Sequence, residues 1–297
     1  MGHVRRVGFH AKYLDEFLRL APLEGVNLVE LKPGHFRRHG VELYTYNDGV
    51  WAINRDVAAK IRDVAGEHDI QVQLHLPYED AIDATKEEGL CQAIKANHPV
   101  ILDRYKVLSD LHDEFDIGRV ITTHPPAYLI RGEQVADMVT ASEHGRQLYF
   151  ELDTLIKERG MQFRLGIENV PDPKIGNACL GYEMRQLKDL VGYTEEIGFT
   201  VDAGHRLLSE NMSVTQMFAL RPVVNIHFHS NPGVPSEMGW DDDAHQMATT
   251  ANLRTFHKYV QSIRANKIPV ICEVAHLDQI DNGMLVGYVA NLRQRLS

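Results

Sequence analysis

Short apolar, β-branched runs alternate eight times with longer segments of helical period, and this alternation limits the chain's folds more than any other feature. The strand-like runs cover residues 5–9, 27–31, 71–76, 119–123, 163–168, 199–202, 223–228 and 269–274. Helical segments are predicted over 54–68, 99–115, 133–159, 182–191, 244–265 and 278–295. In the first of these, Val57, Ile61 and Val64 recur at steps of four and three, which places them on one helix face. Continuous apolar strands between helices indicate a parallel sheet with both faces covered. Glycine closes several of the intervening segments, as at Gly25, Gly160 and Gly198, each just before a strand.

Eight strand–helix units in 297 residues fit a closed α/β barrel, a (β/α)8 TIM barrel, better than an open doubly wound sheet. The chain after the first strand reads Gly8-Phe9-His10-Ala11, without the glycine-rich fingerprint of a dinucleotide fold. No stretch rich in Pro, Gly or Ser divides the chain, so residues 1–297 are expected to form one domain.

Composition narrows the partners. Net charge is −10, which argues against a generalised basic surface for nucleic acid but leaves room for a local patch. Cys91, Cys179 and Cys272 form no CxxC pair, and the odd number suits a reducing compartment. The N-terminal segment lacks the apolar core of a signal peptide, and no apolar run is long enough to span a bilayer. A cytoplasmic protein without a membrane partner is the expectation.

Barrels of this kind carry their chemistry at the C-terminal ends of the strands. There the sequence places His75 after the third strand, His124 after the fourth and Glu168 in the fifth. The sixth ends in Asp202 with His205 three residues on, the seventh carries His227 and His229, and Asp243-Ala244-His245 follows in its loop. The eighth holds Glu273. Six consecutive strands thus direct His, Asp or Glu to one mouth, and an unpaired carboxylate inside an apolar strand is costly. Imidazoles and carboxylates without thiolates suit Zn2+ first, then Mn2+ or Fe2+. Nine donors exceed the needs of one four-coordinate ion, and two or three ions sharing bridging carboxylates would use them all.

From about Gln71 to Glu273 these residues, in this order, resemble the endonuclease IV family of apurinic/apyrimidinic endonucleases, within the xylose-isomerase-like barrel superfamily. The resemblance implies a trinuclear zinc site. His75, His124 and Glu168 would hold one ion; Glu168 would bridge to a second held by Asp202, His227 and Glu273; His205, Asp243 and His245 would hold the third. It implies a metal-dependent phosphodiester hydrolase acting on abasic or damaged DNA, with a bridging hydroxide as nucleophile and with Glu168 and Glu273 in the catalytic machinery. Tyr78 matches a family tyrosine that probes the duplex. The loop 33–40 lies where the family contacts DNA, so Arg37 and Arg38 are expected on phosphates and Phe36 on a base or sugar. His10, Glu30, His229 and His276, also near strand ends, are expected to hydrogen-bond to the ligands.

The sequence departs from that family in three loops. Gln246-Met247-Ala248-Thr249-Thr250 stands where glycines are usual, Asn169-Val170-Pro171 replaces Asn-Thr-Ala, and Ser230-Asn231 follows His229. Two alternatives stay open. One is a mononuclear-metal sugar isomerase or epimerase of the same superfamily, using Glu168, Asp202, His227 and Glu273, with the two glutamates as acid and base. The other is a metal-binding barrel without catalysis.

Overall fold

The computed structural model describes residues 6–38, 40–76, 91–130, 132–171, 178–208, 214–231, 245–247, 260–261 and 263–297. Eight parallel strands close into a barrel: β1 (Val7–Ala11), β2 (Leu28–Leu31), β3 (Gln71–Leu76), β4 (Ile117–Thr123), β5 (Arg164–Glu168), β6 (Ile197–Asp202), β7 (Val223–His227) and β8 (Val270–Cys272). Each pairs with its sequence neighbours, and β1 pairs with β8 to complete the ring. These are the eight strands expected, with ends moved by a few residues.

The helices follow their local signals. Helix Arg55–His68 starts where the Asn54 side chain accepts from the Val57 amide, and stops where Asp69 turns left-handed. Helix Met138–Arg159 starts on the Asp137 carboxylate and ends at Gly160, whose φ of 61° suits a residue without Cβ. It begins later than expected because Glu133–Gln134 joins a small antiparallel sheet with Ala127–Ile130 and Ala178–Cys179. Helices Leu14–Leu20 and Val214–Leu220 and the hairpin Tyr44–Asn47/Val50–Ile53 were not anticipated. At the seventh connection, Gln246 forms a bridge with Ser230, so the segment expected as helix from 244 is not helical at its start; residues 260–261 and 263–266 are helical. Among the described residues no helix is long and apolar enough to cross a membrane.

Strand alternation sorts the side chains into two environments. Val29, Leu31, Leu74, Ile121, Leu165, Ile167 and Val201 join Phe17, Ile61, Leu108 and Leu152 of the helices in the main apolar core. Each such aliphatic side chain contributes roughly 1.5–3 kcal/mol on burial. The residues between them meet inside the barrel, where Glu30, Gln73, Thr122, Thr200 and Asn225 form an inner layer that is fully buried. Thr122 and Thr200 hydroxyls lie 2.9 Å apart, and the Asn225 amide donates to Glu30 at 2.9 Å. This polar layer underlies the mouth at the strand C-termini.

Candidate metal centre

Glu168, the last residue of β5, occupies the centre of the mouth. Its Oε1 lies 2.7 Å from His227 Nδ1, and its Oε2 lies 3.1 Å from His75 Nε2 and 3.0 Å from His124 Nε2. Glu273, one residue past β8, sets Oε2 2.9 Å from the same His227 Nδ1, while Asp202 Oδ2 stands at 3.8 Å. Glu168, Asp202, His227 and Glu273 each offer a ligand atom within 4.8 Å of the others, and all four are buried. His75, His124 and Glu168 form a second such group, so Glu168 is common to both. The sequence expectation grouped the same residues.

A third group consists of His205, His229 and His245. The His205 amide donates to Asp202 Oδ1 at 2.6 Å, and His205 Nδ1 lies 2.8 Å from the Asn169 carbonyl oxygen. His229 Nε2 sits 3.0 Å from Asp202, and the His229 and His245 rings stack with centroids 4.1 Å apart. Gly204 makes the room: a Cβ there would fall 2.1 Å from the His229 ring. His229 was expected only to hydrogen-bond to ligands; in the structure it is one of three imidazoles in a group with His205 and His245. Asp243 and Tyr78 lie outside the described residues.

These groups suit a divalent cation. His75 Nε2 and His124 Nε2 stand 3.2 Å apart, both within about 3 Å of one carboxylate oxygen. Three lone-pair atoms that converge in this way need a shared proton or cation between them. With nitrogen and oxygen donors and no thiolate, zinc or manganese fits.

The electrostatics reflect the crowding. Burial pushes the Glu168 carboxyl upward, but His227 and His75 outweigh it and hold it well below the usual carboxylate range. Burial acts likewise on Glu273, where Lys32 and His227 prevail and keep it ionised. For His227, burial would lower the pKa; Glu30, Glu168 and Glu273 raise it well above the ordinary value instead. Burial lowers His124.

Several contributors were not evident in the sequence. The Lys32 ammonium donates to Glu273 Oε1 inside the mouth. Lys32 stands two residues after Glu30 on the inward face, and that spacing was the available signal. Asn169 ties β5 to β6, its side chain donating to the Asp202 carbonyl at 3.0 Å and accepting from the Asp202 amide at 2.8 Å. Glu30, expected only to hydrogen-bond to ligands, lies 2.9 Å from His227 Nε2 and 3.4 Å from His75 Nδ1 and makes a fourth such group with them. His10 is buried with Nδ1 3.8 Å from Glu273, whereas His276 is exposed and joins none of the groups.

One expected substrate contact is corrected. Residues 33–38 form a short helix, not an open loop, and Phe36 on it is 0% exposed within the apolar core. An aromatic side chain does more for stability inside than on the surface, so Phe36 offers no face for a base to stack on. The side chains of Arg37 and Arg38 lie outside the described residues.

A family model described as "Xylose isomerase-like TIM barrel" matches residues 25–286. Curated proteins provide no match. Among solved structures, the chain is similar to a D-tagatose 3-epimerase-like protein at 14% identity and TM-score 0.66, over 98% of this chain and 97% of that one. It is similar to an IolI protein with a bound zinc atom at 12% identity and TM-score 0.66, over 98% of both chains. A xylose isomerase domain protein from Alicyclobacillus acidocaldarius gives 14% identity and TM-score 0.63, again over 98% of both. At these identities the likeness establishes the fold. The resemblance to endonuclease IV read from the sequence widens to the xylose isomerase-like barrel, with sugar epimerases and isomerases prominent among the similar structures.

Proposed function

Since the chain belongs to the xylose isomerase-like TIM barrel family, we propose that it is a metal-dependent isomerase or epimerase of a small carbonyl sugar. The observation that carries this reading is the buried group Glu168, Asp202, His227 and Glu273, in which two ionised glutamates face one histidine nitrogen at 2.7 and 2.9 Å. Those four residues would hold a divalent ion, which supplies Lewis-acid polarisation of the sugar carbonyl. Polarisation acidifies the C–H beside the carbonyl. One ionised glutamate of the pair would accept that proton and, now a carboxylic acid, return it to the neighbouring carbon, while the other stays ionised as a ligand. Such general acid–base assistance is worth about 10²–10⁴ in rate. Lys32, donating to Glu273, keeps that carboxylate ionised in a buried site.

The test is proton exchange. Zinc- or manganese-loaded protein, incubated in D2O with a panel of ketoses and aldoses, is expected to place deuterium beside the carbonyl of one of them. Glu168→Gln and Glu273→Gln should each suppress the exchange. No exchange on any sugar by fully loaded protein would sink this reading.

A second reading, a phosphodiester hydrolase acting on abasic or damaged DNA, is favoured by one observation. The groups His75–His124–Glu168 and His205–His229–His245 offer more donors than a single ion takes. Elemental analysis separates the two: one ion per chain supports the isomerase, and two or three direct the search to nicking of an abasic duplex.

A further inference from the structure

The floor of the barrel, at the strand N-termini and so opposite the metal centre, holds a hollow of about 400 Å³. Arg6, Arg119, Arg164, Arg264 and Lys267 border it, with Ile268 and Leu296 as an apolar wall. Arg6 directly precedes β1, Arg164 opens β5, and Arg119 lies near the start of β4. In a chain of net charge −10, five cations around one cavity are not a consequence of composition.

Their arrangement has an electrostatic cost. Burial lowers the pKa of both Arg6 and Arg164, and the charge of Arg119 lowers both further; Asp69 and Asp116 oppose this at Arg6. Most of the guanidinium groups are also held in place. Arg6 Nη1 donates to the Asn27 carbonyl oxygen at 3.2 Å, and Arg119 Nη2 to Asp116 at 3.2 Å. Arg264 donates from Nε to the Leu296 carbonyl at 3.2 Å and from Nη2 to the Arg295 carbonyl at 2.8 Å. A guanidinium has five N–H donors, so each anchored group keeps donors to offer. The Arg164 guanidinium makes no hydrogen bond or ion pair among the described residues and keeps all of its donors.

We propose that this hollow binds a small organic polyphosphate, at a site separate from the metal centre. Arginine forks match phosphate oxygens two at a time, and several forks around one cavity call for a ligand with several such oxygens. The volume lies in the range of small-molecule sites and exceeds what a diphosphate group alone fills. An occupant here lies across the barrel from the metal centre. Its effect is stabilisation of the folded chain, since a ligand of the native state shifts the unfolding equilibrium by mass action.

Calorimetric titration of the full-length protein with ADP and with inorganic pyrophosphate tests this. The expected result is one ADP per chain with a dissociation constant below about 1 mM, and weaker binding of pyrophosphate, which fills less of the hollow. The double variant Arg119→Gln/Arg164→Gln should weaken ADP binding by about tenfold or more while its circular dichroism stays that of the parent. If the double variant misfolds, Lys267→Gln with its own titration takes its place. Absence of saturable binding overturns the proposal. So does undiminished binding by the folded variant, because the ligand would then sit elsewhere, and so does equal saturation by sulfate at matched ionic strength.

Discussion

Glu30 Oε2 lies 2.9 Å from His227 Nε2, behind the ring whose Nδ1 faces Glu168 and Glu273. The same oxygen is 3.4 Å from His75 Nδ1, so one carboxylate backs a histidine of each of the two groups that share Glu168. Burial alone would raise Glu30, but His227 and His75 bring it down to about 2, which keeps it an ionised acceptor. A carboxylate behind a ligating histidine holds the outer N–H and aims the inner lone pair at the ion.

Replacing Glu30 by Gln should therefore lower zinc affinity by about 10–100-fold, with the barrel still folded. Competition with a chelator of known affinity measures this. Affinity within about twofold of the parent would remove Glu30 from the metal centre.

Zinc affinity should rise with pH. In the metal-free chain His227 is held protonated well above its ordinary pKa by the surrounding carboxylates, and an ion at Nδ1 must expel that proton. Below the raised value protons compete for the nitrogen, so affinity climbs by up to about tenfold per pH unit for each proton displaced, and levels off above it. Titrations at several pH values in a non-chelating buffer read the slope. A flat profile near neutrality would contradict a protonated His227.

Lys32→Met should destabilise the metal-free protein by about 1.5–3 kcal/mol, because it removes a charge-assisted hydrogen bond to buried Glu273 and leaves His227 as the remaining cation beside it. Zinc-loaded protein should lose less, since an ion at Glu273 supplies the missing charge. Urea unfolding with and without a chelator compares the two. Equal losses would mean that Glu273 does not reach the ion.

Gly204→Ala places a Cβ 2.1 Å from the His229 ring, which is stacked on His245 and hydrogen-bonded to Asp202. The ring must move, at a cost of about 1–3 kcal/mol. Thermal unfolding should show the loss, and zinc stoichiometry should fall if the three histidines hold an ion. An unchanged melting curve would show that the ring has slack.

Much of the site was legible along the chain because strand period and barrel polarity are local rules. A residue ending a β-strand in such a fold faces the mouth, so His75, Glu168, Asp202 and His227 could be named from their positions. The alternation of continuous apolar runs with segments of helical period likewise specified the eight strands. Packing between distant segments was not legible. Phe36 reads as part of a basic, aromatic loop, and only the short helix that carries it into the core shows that it is a core residue. Glu30 and Asn225 are 195 residues apart and meet only inside the closed ring, and Lys32 finds Glu273 only because β8 pairs with β1, which pairs with β2. The sequence by itself determined the kind and order of donors, since these follow from residue identity and periodicity. Tertiary structure alone decided how closely those donors converge, which carboxylate backs which histidine and where the floor cations gather, because those depend on closure of the barrel, which brings residues far apart in the chain to within a few ångströms.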